Sequence, residues 1–290
     1  MRFVVLLSFN KFDVIWLEKE LFPWLPAFLE SVPLRLGPPY IVDYDDAVFH
    51  RYDQYRSFLV KKLFGNKIKK IMRGAAVVIA GNQYIADYSK EAGAKLVEII
   101  PTVLDLGKYH KAHQKRDGCF TIGWIGSPST SRHLRVTQQA LKEVCRNGAV
   151  QIVTIGAQLI DLCNLNASVI PWSEETEVKD LRNFDVGIMP LPDTPWERGK
   201  CGFKLIQYMA CSLTVIASPV GVNKEIVDHG VNGFLAGSTE EWIKYLDVLK
   251  ADPDLRQKMG SAGRKKVEER YSLQVTVPKI EKLLKETSKA

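Results

Sequence analysis

In the stretch GKCGFKLIQYMA, Lys200, Lys204 and Gln207 follow one another at i, i+4 and i+7, just ahead of the apolar segment TVIAS. On a helix that spacing lays three polar groups along one face, while Phe203, Ile206 and Ala210 form an apolar stripe on another. Two ammonium groups near the positive end of a helix dipole would stabilise an anion such as a departing phosphate. A solvated lysine face is the plainer alternative. The approach, PDTPWERGKCG, carries two prolines and two glycines that delay the helix, which leaves Glu197, Arg198 and Lys200 in a loop.

Four further stretches hold comparable chemistry. After FTIGWIGS comes PSTSRHL, where Ser129, Thr130 or Ser131 can cap a helix and Arg132 stands in its first turn. Free backbone N–H groups and a guanidinium suit a phosphate; a capped helix with a surface arginine explains the residues equally simply. After TVIAS comes PVGVNKEI, in which Gly221 permits close backbone approach ahead of Val222 and Glu225, or merely forms a turn. The run ASVIPW ends in Trp172, a wall for a flat base or a core residue. DYDD places Asp45 and Asp46 behind another apolar run, where they can bind sugar hydroxyls or a proton, or cap the next helix. His110 and His113 lack a third ligand nearby, so no metal site is expected; neither a G-x-S-x-G elbow nor a P-loop occurs.

The elements that must position these residues are short apolar runs alternating with amphipathic stretches. FDVIWLEK, PYIVDYDD, AAVVIAGN and KLVEIIPT come first; FTIGWIGS, VQIVTIGA, ASVIPW, FDVGIMPL and TVIASPVG follow. The alternation predicts βαβ units and two doubly wound parallel sheets, an α/β fold. Ligands of such sheets bind at the carboxyl ends of the strands, where all the stretches above fall. A polar, lysine-rich linker sets the boundary near His113 to Gly118, giving domains 1–114 and 115–290, the second with a closing helix around Leu273, Val277, Ile280 and Leu284. The first domain opens without a glycine-rich turn, so it is expected to be incomplete at its start.

The chain has 290 residues, a net charge of +7 and five cysteines, without a C-x-x-C pair. Basicity favours anionic partners; the cysteine count suggests no disulfide framework and fits a reducing cytoplasm. No apolar run reaches the roughly 20 residues of a membrane span, and MRFVVLLSF lacks the cleavage site of a signal peptide. Residues 55–74 predict one basic amphipathic helix, with Phe58, Leu59, Leu63, Ile68 and Met72 set among Lys61, Lys62, Lys67, Lys69, Lys70 and Arg73. It suits an anionic membrane surface, or it covers the sheet as an ordinary surface helix.

The segment PWERGKCGFKLIQYMACSLTVIASPVGVNKEIVDHGVNGFL resembles the donor site of the retaining group 1 (family 4-type) glycosyltransferases, whose GT-B fold pairs two Rossmann-like domains facing a cleft. The likeness extends to DVIWLEKELFP, VIAGNQYIADY, IIPTVLDLGKY and IGWIGSPSTSRHL. It implies a nucleotide-diphosphate-sugar donor on the second domain, a glycan or lipid-linked acceptor on the first, and no cofactor or metal. Arg132, Lys204 and Lys200 would then face the diphosphate. Gln207 stands where the family has a ribose-binding glutamate, and Glu225 matches the glutamate after the glycine loop. Gly199 replaces the glutamate that holds the transferred sugar, a role left to Glu197; Ser127 stands where an arginine is usual.

The expected function is metal-independent retaining sugar transfer by a cytoplasmic protein, peripheral at the inner face of the cell membrane. The alternative is a non-catalytic nucleotide-sugar-binding remnant. A nucleic-acid partner is not expected, since basicity alone would support it.

Overall fold

The computed structural model describes residues 9–110, 118–146, 149–157 and 167–289. The opening MRFVVLLS, Cys163 and most of the expected linker, including His113, lie outside them. The chain divides into two compact units: Met1–Thr102 with Thr194–Cys201 and Thr276–Ala290, and Val103–Asp193 with Gly202–Val275. The division falls at Thr102 rather than at 114, and the last segment of the chain groups with the first unit.

The first unit holds four parallel strands in sequential order: β1 (Ile15–Glu18), β2 (Tyr40–Tyr44), β3 (Val77–Ala80) and β4 (Val97–Ile99). Right-handed crossovers between successive strands all run the same way, so their helices gather on one face. Val42, Tyr44, Val78 and Ala80 meet them there, packed with Leu34, Ile68, Ile71, Met72 and Ile85. The alternate residues Ile41, Val77 and Ile79 point to the other face, which the C-terminal helix Leu273–Thr287 covers through Leu283. The buried positions of that helix are Thr276, Leu283 and Thr287, whereas Leu273 and Val277 of the expected stripe are exposed.

The second unit has six parallel strands: β5 (Phe120–Ile125), β6 (Val150–Ile155), β7 (Ala167–Ile170), β8 (Val186–Met189), β9 (Thr214–Ala217) and β10 (Gly233–Leu235). Their order is β10-β9-β8-β5-β6-β7. The chain winds outward from β5, returns to the other side of it, and so reverses direction between β5 and β8. Helices therefore cover both faces, and the pleat divides the core accordingly. Ile122, Trp124, Ile152, Ile188 and Ile216 pack with Leu141, Val144 and Trp242. Ile125, Val153, Ile155, Val215 and Ala217 pack with Leu205, Ile206 and Met209. All nine apolar runs named from the sequence contain strands; β10, three residues long and opening on Gly233, was not among them.

Two local expectations are corrected. The basic stretch 55–74 is two helices, Phe58–Phe64 and Lys67–Gly74, parted at Gly65 and Asn66. The second buries Lys67, Ile68, Ile71 and Met72, while no residue of the first is buried. After β5 the chain forms a 3-10 helix, Pro128–Thr137, rather than a capped α-helix, and Ser127 makes no side-chain cap bond. Hydroxyls explain the difference. Thr130, Ser131 and Thr137 donate to the carbonyls of Ser127, Pro128 and Leu134, each three residues back, which matches the 3-10 repeat.

Candidate functional site

Reversal of strand order between β5 and β8 opens a crevice at their carboxyl ends, the usual ligand position in an open parallel sheet. Tyr208, on the helix Phe203–Ala210, fixes that point: its hydroxyl accepts from Ile125 N at 2.9 Å and donates to Ile188 O at 3.3 Å. One turn earlier on the same helix, Lys204 reaches the end of β5, where its Nζ lies 4.8 Å from the centroid of the Trp124 ring. Gly126 makes room for it, because a Cβ there would stand 2.7 Å from both Lys204 Cε and Trp124. Indole and glycine thus hold an ammonium at the switch point, where it can meet an anion.

A second cluster lies beside it in the same unit. Glu177, in the short helix Glu177–Leu181 that follows β7, accepts three hydrogen bonds. Gln207 Nε2 and the Tyr109 hydroxyl donate to Oε1, each at 2.7 Å, and Trp172 Nε1 donates to Oε2 at 2.6 Å. Gln207 and Tyr109 are buried, and burial pushes the Tyr109 phenol above its ordinary range. Trp172 is 54% exposed, so its indole is no core residue. Its edge is fixed while the ring remains open to solvent. Glu177 and Tyr109 escaped the reading of the sequence; the available signal was a carboxylate five residues after a tryptophan at a strand's carboxyl end.

Of the remaining residues expected at the donor, Gly221 (φ 51) and buried Val222 form the turn after β9, and Glu225 is exposed on the helix Asn223–Ile226. Arg132 is exposed in the 3-10 segment after β5. Ser127 Oγ lies 3.0 Å from Ser129 Oγ and 3.2 Å from Thr130 Oγ1.

Lys200 does not share a helical face with Lys204 and Gln207. The helix starts only at Phe203, because Gly202 takes a left-handed conformation (φ 69) in which a Cβ would press on Ile226 at 2.3 Å. Lys200 belongs to the first unit and pairs with Asp46 at 3.5 Å. Neighbouring bonds fasten the same segment. Asn82, which caps the helix Gln83–Glu91 through Ile85 N, donates to Gly199 O at 2.9 Å and Lys200 O at 3.2 Å. Cys201 Sγ donates to Asp45 O at 2.7 Å. Glu197 is buried there, in the one-turn helix Pro195–Arg198, and accepts from the Thr194 hydroxyl. Asp45 also pairs with Lys19 at 2.8 Å. Burial raises the Asp46 carboxyl above its usual range, against the pull of Lys200. Among the described residues no group of three or more His, Cys, Asp or Glu is arranged to hold a metal ion.

Residues 119–252 match the family model described as glycosyl transferases group 1. A comparison with curated protein sequences found no match. Among solved structures, HepE of Anabaena in complex with UDP is similar at 16% identity and a TM-score of 0.76, over 98% of this chain and 82% of that one. Sucrose-phosphate synthase from Thermosynechococcus elongatus is similar at 17% identity and a TM-score of 0.75, over 98% and 76%. The pneumococcal O-GlcNAc transferase GtfA, solved with UDP and GlcNAc, gives 12% identity and a TM-score of 0.70, over 98% and 59%. The fold is that of the GT-B glycosyltransferases, and family model and neighbours together support a glycosyltransferase.

Proposed function

We propose that this chain, whose residues 119–252 carry the group 1 glycosyltransferase match, is a metal-independent retaining enzyme. It moves a sugar from a nucleotide-diphosphate-sugar to a glycan or lipid-linked acceptor. The observation that carries the reading is Lys204, held at the β5 carboxyl end over Trp124 by the room that Gly126 leaves. As the bond from the sugar's anomeric carbon to the diphosphate breaks, negative charge grows on the leaving oxygen. An ammonium already in place there stabilises it without reorganisation. Arg132, exposed after the same strand, supplies a second cation. The acceptor oxygen bonds to the anomeric carbon on the face the diphosphate leaves, and its proton passes to the departing diphosphate oxygen. No separate base is needed. HepE and GtfA, both solved with UDP, favour a uridine nucleotide as the first donor to try.

A cytoplasmic protein resting on the inner face of the cell membrane is the proposed setting. Among the described residues no helix is long and apolar enough to cross a membrane. On the helix Phe58–Phe64, Phe58 and Leu63 are 74% and 70% exposed beside Lys61 and Lys62, a surface suited to anionic lipid. Incubation with labelled nucleotide sugars, lipid-linked and glycan acceptors and a chelator tests the activity. The reading expects a glycoside with the donor's anomeric configuration, formed in the chelator's presence. Tight nucleotide binding with no product under any of these conditions would favour the non-catalytic remnant.

A further inference from the structure

The cluster around Glu177 has one more acceptor position than the protein uses. A carboxylate offers about four lone-pair sites. Gln207 and Tyr109 occupy two on Oε1, and Trp172 occupies one on Oε2. The remaining site on Oε2 lies at the edge of an indole that is 54% exposed. A flat apolar face with a fixed anionic acceptor at its rim matches a nucleoside, which carries a stackable base and, at the base's edge, a ribose with two hydroxyl donors. The amide of Gln207 is already engaged: Nε2 donates to Glu177 and lies 3.3 Å from the Tyr109 hydroxyl, so the anionic acceptor at this rim is Glu177.

We propose that Glu177 is the specificity residue for the ribose of the donor, accepting a hydrogen bond from a ribose hydroxyl while Trp172 stacks on the base. Gln207 and Tyr109 are positioning residues that act through it. The proposal rests on the nucleotide-sugar reading above and assigns the nucleoside end of that same site.

Its test compares UDP and GDP with their 2′-deoxy and 3′-deoxy forms by titration calorimetry on the full chain. The wild type should bind the ribonucleotide about tenfold more tightly than at least one deoxy form, the effect of one hydrogen bond to a charged acceptor. Glu177→Ala should lower ribonucleotide affinity to the level of that deoxy form and leave the deoxy affinity within about twofold, which erases the preference. Trp172→Phe should keep the preference while weakening all forms, since Gln207 and Tyr109 still hold the carboxylate. A Glu177→Ala variant that loses ribo and deoxy affinity alike has lost a structural brace, and the proposal falls. It falls equally if the wild type shows no preference, or if the preference survives the substitution. Failure of the wild type to bind any of the nucleotides would instead remove the nucleotide-sugar reading itself.

Discussion

Lys204 and Trp124 meet at the carboxyl end of β5, ammonium over indole at 4.8 Å, although 80 positions of sequence separate them. The contact depends on Gly126, whose missing side chain leaves the space that the lysine stem crosses. Gly126→Ala should therefore displace Lys204 and weaken nucleotide binding about tenfold. In a Lys204→Ala background the same substitution should cost less than in the wild type, because the lysine stem is gone and only the contact with Trp124 remains. Calorimetric binding constants for the four proteins measure that coupling; strict additivity would show that Gly126 acts some other way.

Lys67 anchors the first unit through charge rather than apolar packing. Its ammonium pairs with Glu20 at 2.7 Å and Glu30 at 2.9 Å and donates to Phe22 O, all of it buried. Burial raises the Glu30 carboxyl, and Lys67 opposes the shift. Lys67→Met leaves the buried Glu30 without its cation and Glu20 with Arg51 alone, at 3.4 Å, and should cost about 3–5 kcal/mol in chemical denaturation. Adding Glu20→Gln and Glu30→Gln should recover part of that loss. A triple variant less stable than the single one would contradict the account.

Asp43, next to last in β2, lies near Asp45 and Glu18, and its carboxyl is pushed up to about 6 by burial first and by those two charges second. In the unfolded chain it titrates near ~3.9. The folded state holds the proton more tightly, so this group's contribution is fully present below about pH 4 and is lost as pH rises through 6. Asp43→Asn should flatten the stability profile between those values, by on the order of 2 kcal/mol across the window. Parallel profiles for the two proteins would show that Asp43 does not titrate there.

The exposed helix Phe58–Phe64 should bring the chain down with sedimenting vesicles rich in anionic lipid and leave it in solution with zwitterionic ones. Phe58→Glu with Leu63→Glu should abolish the pelleting without shifting the melting temperature, since neither side chain is buried. Equal recovery with both vesicle types would end the membrane proposal.

The sheets were legible because buried parallel strands read as unbroken apolar runs, and Ile122, Val150 and Val215 each sit in one. Lys204 was legible because helical spacing set it near a helix N-terminus ahead of β9. Lys200 was not, because the residue that claims it, Asp46, lies in a different apolar run more than a hundred positions earlier. Glu177 was hidden for the same reason. Its meaning comes from Tyr109 68 positions before it and Gln207 30 after it, and no local pattern carries that. The 3-10 segment after β5 departs from the expected capped helix because its serine and threonine hydroxyls bond carbonyls three residues back rather than helix N–H groups.

Titration of the purified chain with UDP, GDP and their common sugar conjugates, beside Lys204→Ala, measures whether Lys204 meets a nucleotide diphosphate at the end of β5. Saturable binding to at least one of them is expected, with an affinity about tenfold lower in the variant, as when a charge-assisted contact to a diphosphate is removed. Absence of binding to every nucleotide, or binding that Lys204→Ala leaves unchanged, would contradict that contact.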